Sequence, residues 1–239
     1  MTSVQVPVKV SEGMLSLPEH EIALYGGKLS GSASYDSGKQ GLALHETLRE
    51  VQLDPLMRDT SVSLPFAGLT NATLDIRSQG GELRALPDKA TGVLRVYVRN
   101  ARWQGVDLPY SMLALHAGKA ASNSAKSATP LAEISAAFAV KGPTLEIDKL
   151  TARSEAVALT GNGNIQYMTG QMDVLLSARA GNDKSLSELR GQRMSLRAKG
   201  RLTHPQLLAE AASASHSAIV SHWKPATAET SSALTGRPK

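Results

Sequence analysis

Gly26-Gly27-Lys28-Leu29-Ser30-Gly31-Ser32-Ala33-Ser34-Tyr35-Asp36 decides the fold class. Leu29, Gly31, Ala33 and Tyr35 alternate with Lys28, Ser30, Ser32 and Ser34, the period of a strand whose two faces meet different surroundings. A related pattern returns at Val157-Ala158-Leu159-Thr160-Gly161-Asn162-Gly163-Asn164-Ile165 and at Met194-Ser195-Leu196-Arg197-Ala198-Lys199-Gly200-Arg201-Leu202. Alternating strands with little between them predict a long one-sided sheet. The functional question is what its apolar face covers.

The chain has 239 residues, enough to bury a sizeable core as one large β domain or two smaller ones. Aromatic residues make up only 4% of it. Its apolar content is therefore carried by Leu, Val, Ala and Met, not by large rings that each bury much area. Such content suits a thin layer, a groove or an incomplete core, although a closed Leu/Val core is its commoner meaning. The formal charge is +5, dispersed over positions such as Arg95, Arg99, Arg102, Arg179 and Arg197. Nucleic-acid binders concentrate positive charge and add stacking aromatics, so no nucleic-acid partner is expected. Attraction to an anionic membrane surface is as plausible physically. The absence of cysteine removes disulfides, zinc–thiolate sites and thiol nucleophiles together. The sequence holds no run of about 18 apolar residues, so no transmembrane helix is expected in it. Residues 1–11 alternate at Val4, Val6, Val8 and Val10 and read as a strand, not a signal peptide.

Strands are predicted over 4–10, 21–24, 28–35, 41–45, 50–53, 70–78, 91–99, 132–140, 144–153, 156–166, 171–179 and 194–202. Turn chemistry separates them at Tyr25-Gly26-Gly27, Asp36-Ser37-Gly38, Gln79-Gly80-Gly81, Lys141-Gly142-Pro143, Thr169-Gly170 and Gly181-Asn182-Asp183. Connections of two to five residues make consecutive strands antiparallel neighbours. Two or three short helices interrupt them. One is opened by Asp54 as N-cap ahead of Pro55, one spans 107–117 behind Asp107 and Pro109, and one turn falls at 82–86. Residues 120–129 are low in complexity and read as a flexible insertion that divides 1–119 from 130–205. The Ala/Ser-rich tail, 206–239, is expected to be partly disordered, with a short helix over 206–222.

The order of these segments is itself informative. The Gly26–Asp36 strand precedes Asp54-Pro55-Leu56-Met57, then Gly68-Leu69-Thr70-Asn71-Ala72-Thr73-Leu74-Asp75-Ile76 and Ala90-Thr91-Gly92-Val93-Leu94-Arg95-Val96. Trp103-Gln104-Gly105-Val106-Asp107-Leu108 then enters a helix, and Gly142-Pro143-Thr144-Leu145 and Gly161-Asn162-Gly163-Asn164-Ile165 follow. This succession resembles the C-terminal domain of the AsmA family of bacterial envelope proteins, over roughly 4–205. The resemblance implies a mainly β domain over 1–205: an elongated, twisted, largely antiparallel sheet forming an open groove or half-barrel, with two or three short helices. It also implies a non-enzymatic role in outer-membrane biogenesis and envelope assembly, in which an apolar β-groove handles phospholipid acyl chains between inner and outer membrane. AsmA-like proteins are held in the inner membrane by an N-terminal helix and extend into the periplasm. This sequence has neither that helix nor the β-rich region that follows it in the family, so it is read as the C-terminal part of a larger anchored periplasmic protein, a truncated gene product or a short family member, with envelope proteins as partners.

A lipid tail needs a continuous apolar strip and no chemistry, and alternating strands supply one because every second side chain points to one face. The expected lining is Leu29, Ala33, Leu74, Ile76, Leu94, Val96, Ile134, Phe138, Val157, Leu159, Val174, Leu176 and Leu196, with Leu145, Ile147 and Leu202 beside them. Gly31, Gly92, Gly161, Gly163 and Gly200 would lower the floor and let the sheet bend. Alternation alone favours a closed core for these residues, and only the resemblance favours a groove. A second reading belongs to another class: a structural β scaffold of an envelope assembly, without lipid cargo, that docks partners on its edges by strand addition. Subunit N of type II secretion systems, similar in pattern, is such a case.

No catalytic, cofactor or metal site is expected. Gly161-Asn162-Gly163-Asn164 lies inside a strand pattern with no Lys-Ser/Thr and no helix after it, so it reads as a bulge and not a phosphate loop. Glu19-His20-Glu21 puts adjacent side chains on opposite faces, which keeps the three from converging on a metal. His216 and His222 lie six apart in the tail, His45 and His116 are isolated, and no Gly-x-Ser-x-Gly elbow occurs. Asp107 reads as a helix cap, and Trp103 as a residue packed against that helix.

Overall fold

The computed structural model describes residues 7–60, 64–80, 83–121, 124 and 126–210. Twelve strands follow one another: β1 (Lys9–Ser11), β2 (Met14–Leu24), β3 (Gly27–Asp36), β4 (Gly41–Gln52), β5 (Phe66–Gln79), β6 (Thr91–Gln104), β7 (Ala128–Lys141), β8 (Thr144–Arg153), β9 (Val157–Gln166), β10 (Gln171–Ala180), β11 (Arg193–Arg201) and β12 (His204–Ala209). Each pairs antiparallel with its sequence neighbours, in a single 12-stranded sheet. β1 and β12 have one neighbour each, so the sheet is open and not a closed barrel. Local turn chemistry explains this order. Glu12-Gly13 and Tyr25-Gly26 hold positive φ at both residues, the two-residue turn whose twist matches that of the strands it joins.

The expected fold class is the one formed, with differences that have physical causes. β4 runs unbroken where two strands were predicted, because Arg49 and Glu50 form a bulge opposite Asn71. Glu50 sits at φ 54°, and its N–H donates to Asn71 Oδ1 at 3.1 Å. α1 (Leu53–Asp59) begins one residue before the expected cap, with Gln52 at the N-cap position and Asp54 already inside the first turn. α2 (Leu108–His116) starts as predicted: Asp107 Oδ1 accepts the Tyr110 N–H at 3.0 Å. Short 3-10 turns complete the described helical segments at Leu83–Ala85, Pro87–Lys89 and Lys184–Leu189.

Residues 120–129 do not divide the chain. β6 and β7 pair across that connection, with Trp103 opposite Thr129. Thr129 is fully buried, and its Oγ1 accepts the Leu108 N–H at 2.8 Å while donating to the Val106 carbonyl at 2.7 Å. The threonine at the end of the presumed linker thus pins the start of α2. At the other end, β12 occupies the first residues of the predicted 206–222 helix. The rest of that helix, His216, His222 and the first positions of the 4–10 strand lie outside the described residues.

The core lies on the C-terminal side. Leu108 and Met112 of α2, and Leu186 and Leu189 of the last 3-10 turn, are wholly buried against β6–β12, where Val98, Leu159, Val174, Leu196 and Leu207 share the same cluster. Trp103 belongs to that cluster, its ring centroid 5.8 Å from that of Phe66. The Thr203 carbonyl oxygen lies 3.3 Å from the position a Cβ on Gly105 would take, so the β11–β12 turn reaches the end of β6.

Candidate functional site

Directly opposed residues on neighbouring strands project to the same side of a sheet. Followed strand by strand, the register shows that the apolar residues of this chain form one continuous face. One row runs Leu29, Leu48, Ala72, Val96, Ala136, Leu150, Gly161, Leu176 and Leu196. The next runs His20, Gly31, Glu46, Leu74, Leu94, Phe138, Ile147, Gly163, Val174, Ala198 and Leu207. A third holds Leu17, Ala33, Leu44, Ile76, Gly92 and Val140. On the helical side lies a fourth: Val51, Thr70, Val98, Ile134, Ala152, Leu159 and Ala178, with Val157 two residues beyond Leu159 on its strand. All thirteen predicted lining residues therefore share a face. Bulges in β2, β4, β6 and β8 preserve this parity along the rows because each adds a residue without reversing the sides.

The face divides into a covered and an uncovered part. Ile134, Val157, Leu159, Val174, Leu176 and Leu196 are buried in the core cluster. Leu29, Ala33, Leu74, Ile76, Leu94, Val96 and Phe138 are only half-buried. The fourth row is buried from β4 onward, from Val51 at 0% exposure through Val98 at 3% to Ala178 at 0%. The open area thus comprises the other three rows over β2–β6, and extends to Phe138 on β7. At Gly161 the covered side leaves no room for a side chain: a Cβ there would lie 2.8 Å from Leu176 Cδ2 and 3.1 Å from Leu150 Cδ2.

The reverse face carries the charge. Lys28–Glu21, Arg153–Glu133, Lys141–Glu146 and Arg197–Asp173 pair there across neighbouring strands, and Arg99 on β6 reaches over β5 to Glu50 on β4. Arg197 donates through Nε and Nη2 to both Asp173 oxygens at 2.7 and 2.8 Å, which holds the Asp173 carboxyl below its ordinary value. A shallow hollow of about 490 Å³ also opens on this side, bordered by Arg49, Arg95, Tyr97 and Lys149. Most of its lining residues belong to the polar rows, so it is not part of the apolar strip.

One ionisable pair departs from this division and was not foreseen from the sequence. His20 Nε2 lies 3.3 Å from Glu46 Oε2 across β3, in line with Leu74 and Leu94 on the apolar face. Both side chains are largely covered, at 6% and 14% exposure. Gly31 stands between them, and a Cβ on it would collide with the Glu46 carboxylate and the His45 carbonyl. In the Glu19-His20-Glu21 stretch, Glu21 bonds Lys28 on the other face. Among the described residues no cluster of three or more metal-ligating side chains occurs, and no helix is long and apolar enough to cross a membrane.

Comparison with known proteins returned no match among curated proteins and none among solved structures. The model of the AsmA family, by contrast, matches residues 2–150, well over half of the chain. That span runs from before β1 to Leu150 in β8, so it contains the whole open area, and β9–β12 continue the same ladder beyond it. The chain therefore belongs to the AsmA family.

Proposed function

We propose that the chain is a non-enzymatic lipid-handling module of the bacterial envelope, in which the uncovered part of the apolar face holds phospholipid acyl chains on their way between inner and outer membrane. The observation that carries this reading is the continuity of the face: half-buried Leu29, Leu74, Leu94 and Phe138 lead without a change of side into the covered core. A lipid tail is the partner whose chemistry such a strip matches, because it offers apolar surface and asks for no hydrogen bonds. The family membership supports the envelope context; the periplasmic setting and the inner-membrane anchoring are part of this proposal.

The test is native mass spectrometry with lipid extraction on the protein purified from a bacterial envelope. Phospholipid is expected to co-purify, and Leu74→Asp combined with Leu94→Asp is expected to remove it while the protein stays folded. Leu159 is unsuitable for this purpose, since a carboxylate at a core position 5% exposed would unfold the sheet. A folded wild-type chain that is reproducibly free of lipid refutes the reading. It would favour a scaffold instead, for which the exposed edge strand β1, with Val10 75% exposed, offers a place for strand addition.

A further inference from the structure

We infer that Glu46 and His20 form the head-group end of the lipid strip and select a lipid whose head carries a primary ammonium. This rests on the lipid reading of the apolar face. Charge is otherwise kept off that face: among the described side-chain pairs that join a carboxylate to Lys, Arg or His, His20–Glu46 is the one that lies on it. The neighbouring cations are elsewhere, with Lys28 bonded to Glu21 and Arg49 bordering the hollow on the reverse side.

The pair has the form of a receptor for a donor. In the tautomer that carries its proton on Nδ1, His20 donates to the Pro18 carbonyl 3.3 Å away, which fixes the ring's orientation. Nε2 then presents a lone pair toward Glu46 Oε2, so two acceptors converge on one point. Oε2 is buried and accepts no hydrogen bond. A buried acceptor left without a donor is costly, and a group bringing several N–H donors and a positive charge removes that cost.

The length of the strip agrees with this placement. From Glu46 the row continues through half-buried Leu74, Leu94 and Phe138 and meets the closed core at Ile147, 6% exposed. Those residues stand on β4 to β8, four strand spacings or about 19 Å. A phospholipid tail fills half of a hydrocarbon layer of about 30 Å, or about 15 Å. A tail anchored by its head at Glu46 thus fits within the open part, with its end directed at the core.

The test uses the full chain and an equimolar mixture of phosphatidylethanolamine, phosphatidylcholine and phosphatidylglycerol with identical acyl chains, read by native mass spectrometry. The wild type is expected to hold the ethanolamine lipid over the choline lipid by roughly tenfold, the size of one charge-assisted hydrogen bond. Glu46→Gln is expected to abolish that preference and keep total lipid occupancy. On the wild type alone, N-methyl and N,N-dimethyl ethanolamine lipids should bind progressively less as donors are lost, a readout independent of whether the variant folds. Equal occupancy of the three heads by the wild type, or an unchanged preference in folded Glu46→Gln, overturns the head-group assignment. A wild type that binds no lipid overturns the lipid reading itself.

Discussion

Leu196→Ala and Leu94→Ala, made as a matched pair, ask whether the apolar face really divides where the structure places the division. Leu196 has no exposed surface and sits in the core cluster, so truncation removes its transfer energy and leaves a cavity. Such changes cost about 3–5 kcal/mol. Leu94 lies two strands from the closed core on the neighbouring row, half-buried, and water fills the space its truncation leaves. Its cost is about half the transfer energy of the lost groups, or about 1 kcal/mol. For a chain of this size each kcal/mol moves the midpoint by about 2–4 °C, so Leu196→Ala should melt about 6–20 °C below wild type and Leu94→Ala about 2–4 °C below. Thermal melts by far-UV circular dichroism measure this, with urea midpoints at unchanged slope as a check on two-state behaviour. Lipid occupancy should show the reverse ranking, reduced by Leu94→Ala and preserved by Leu196→Ala. Equal losses of stability would mean that Leu94 is covered as deeply as Leu196, and the open strip would not exist.

Two further outcomes follow from single contacts. Thr129→Val keeps the shape of the side chain but leaves the Leu108 N–H and the Val106 carbonyl unpaired in the core, so urea denaturation should show a loss of about 2–4 kcal/mol, whereas Thr129→Ser retains both bonds and most of the stability. Asp173 is held below its ordinary value first by the Arg197 hydrogen bond, so its contribution is fully present above the unfolded carboxylate value of about 3.9 and is lost as pH falls through the lower folded one. Asp173→Asn should therefore show a shallower loss of urea midpoint between about pH 5 and pH 2 than wild type; parallel curves would show that the pair contributes nothing to acid stability.

Which residues share a face was legible in the sequence because the strand period is two and survives in every long strand. Leu29, Leu94 and Leu176 could be assigned to one side of a sheet without knowing their neighbours. Whether each is covered was not legible, since cover comes from other elements: Leu94 and Leu176 have the same pattern around them, but only Leu176 lies beneath the C-terminal core. The bulge at Arg49–Glu50 passed for a strand break because a residue at positive φ interrupts alternation in the same way a turn does. Thr129 was hidden by composition: a polar residue at the end of a low-complexity run becomes a buried pin only through two backbone partners more than twenty residues away. The His20–Glu46 pair is a property of register across three strands, with Gly31 between, and no short-range motif announces it.

Connection length explains why one part of the face is open. β1 to β4 are joined by Glu12-Gly13, Tyr25-Gly26 and residues 37–40, turns too short to carry any side chain back over the sheet. The long connections come later. Residues 105–127 supply α2, with Leu108 and Met112, and residues 181–192 supply the 3-10 turn with Leu186 and Leu189. Both leave from the same end of the sheet, which is why the row nearest that end is closed from Val51 to Ala178 while the rows farther away close only toward the C-terminal strands. A sheet with short turns throughout would lack the core that stabilises it, and one with long connections throughout would bury the strip. The chain combines a half held by its own loops with a half whose apolar side chains keep the same alignment and, among the described residues, have no loop or helix packed over them.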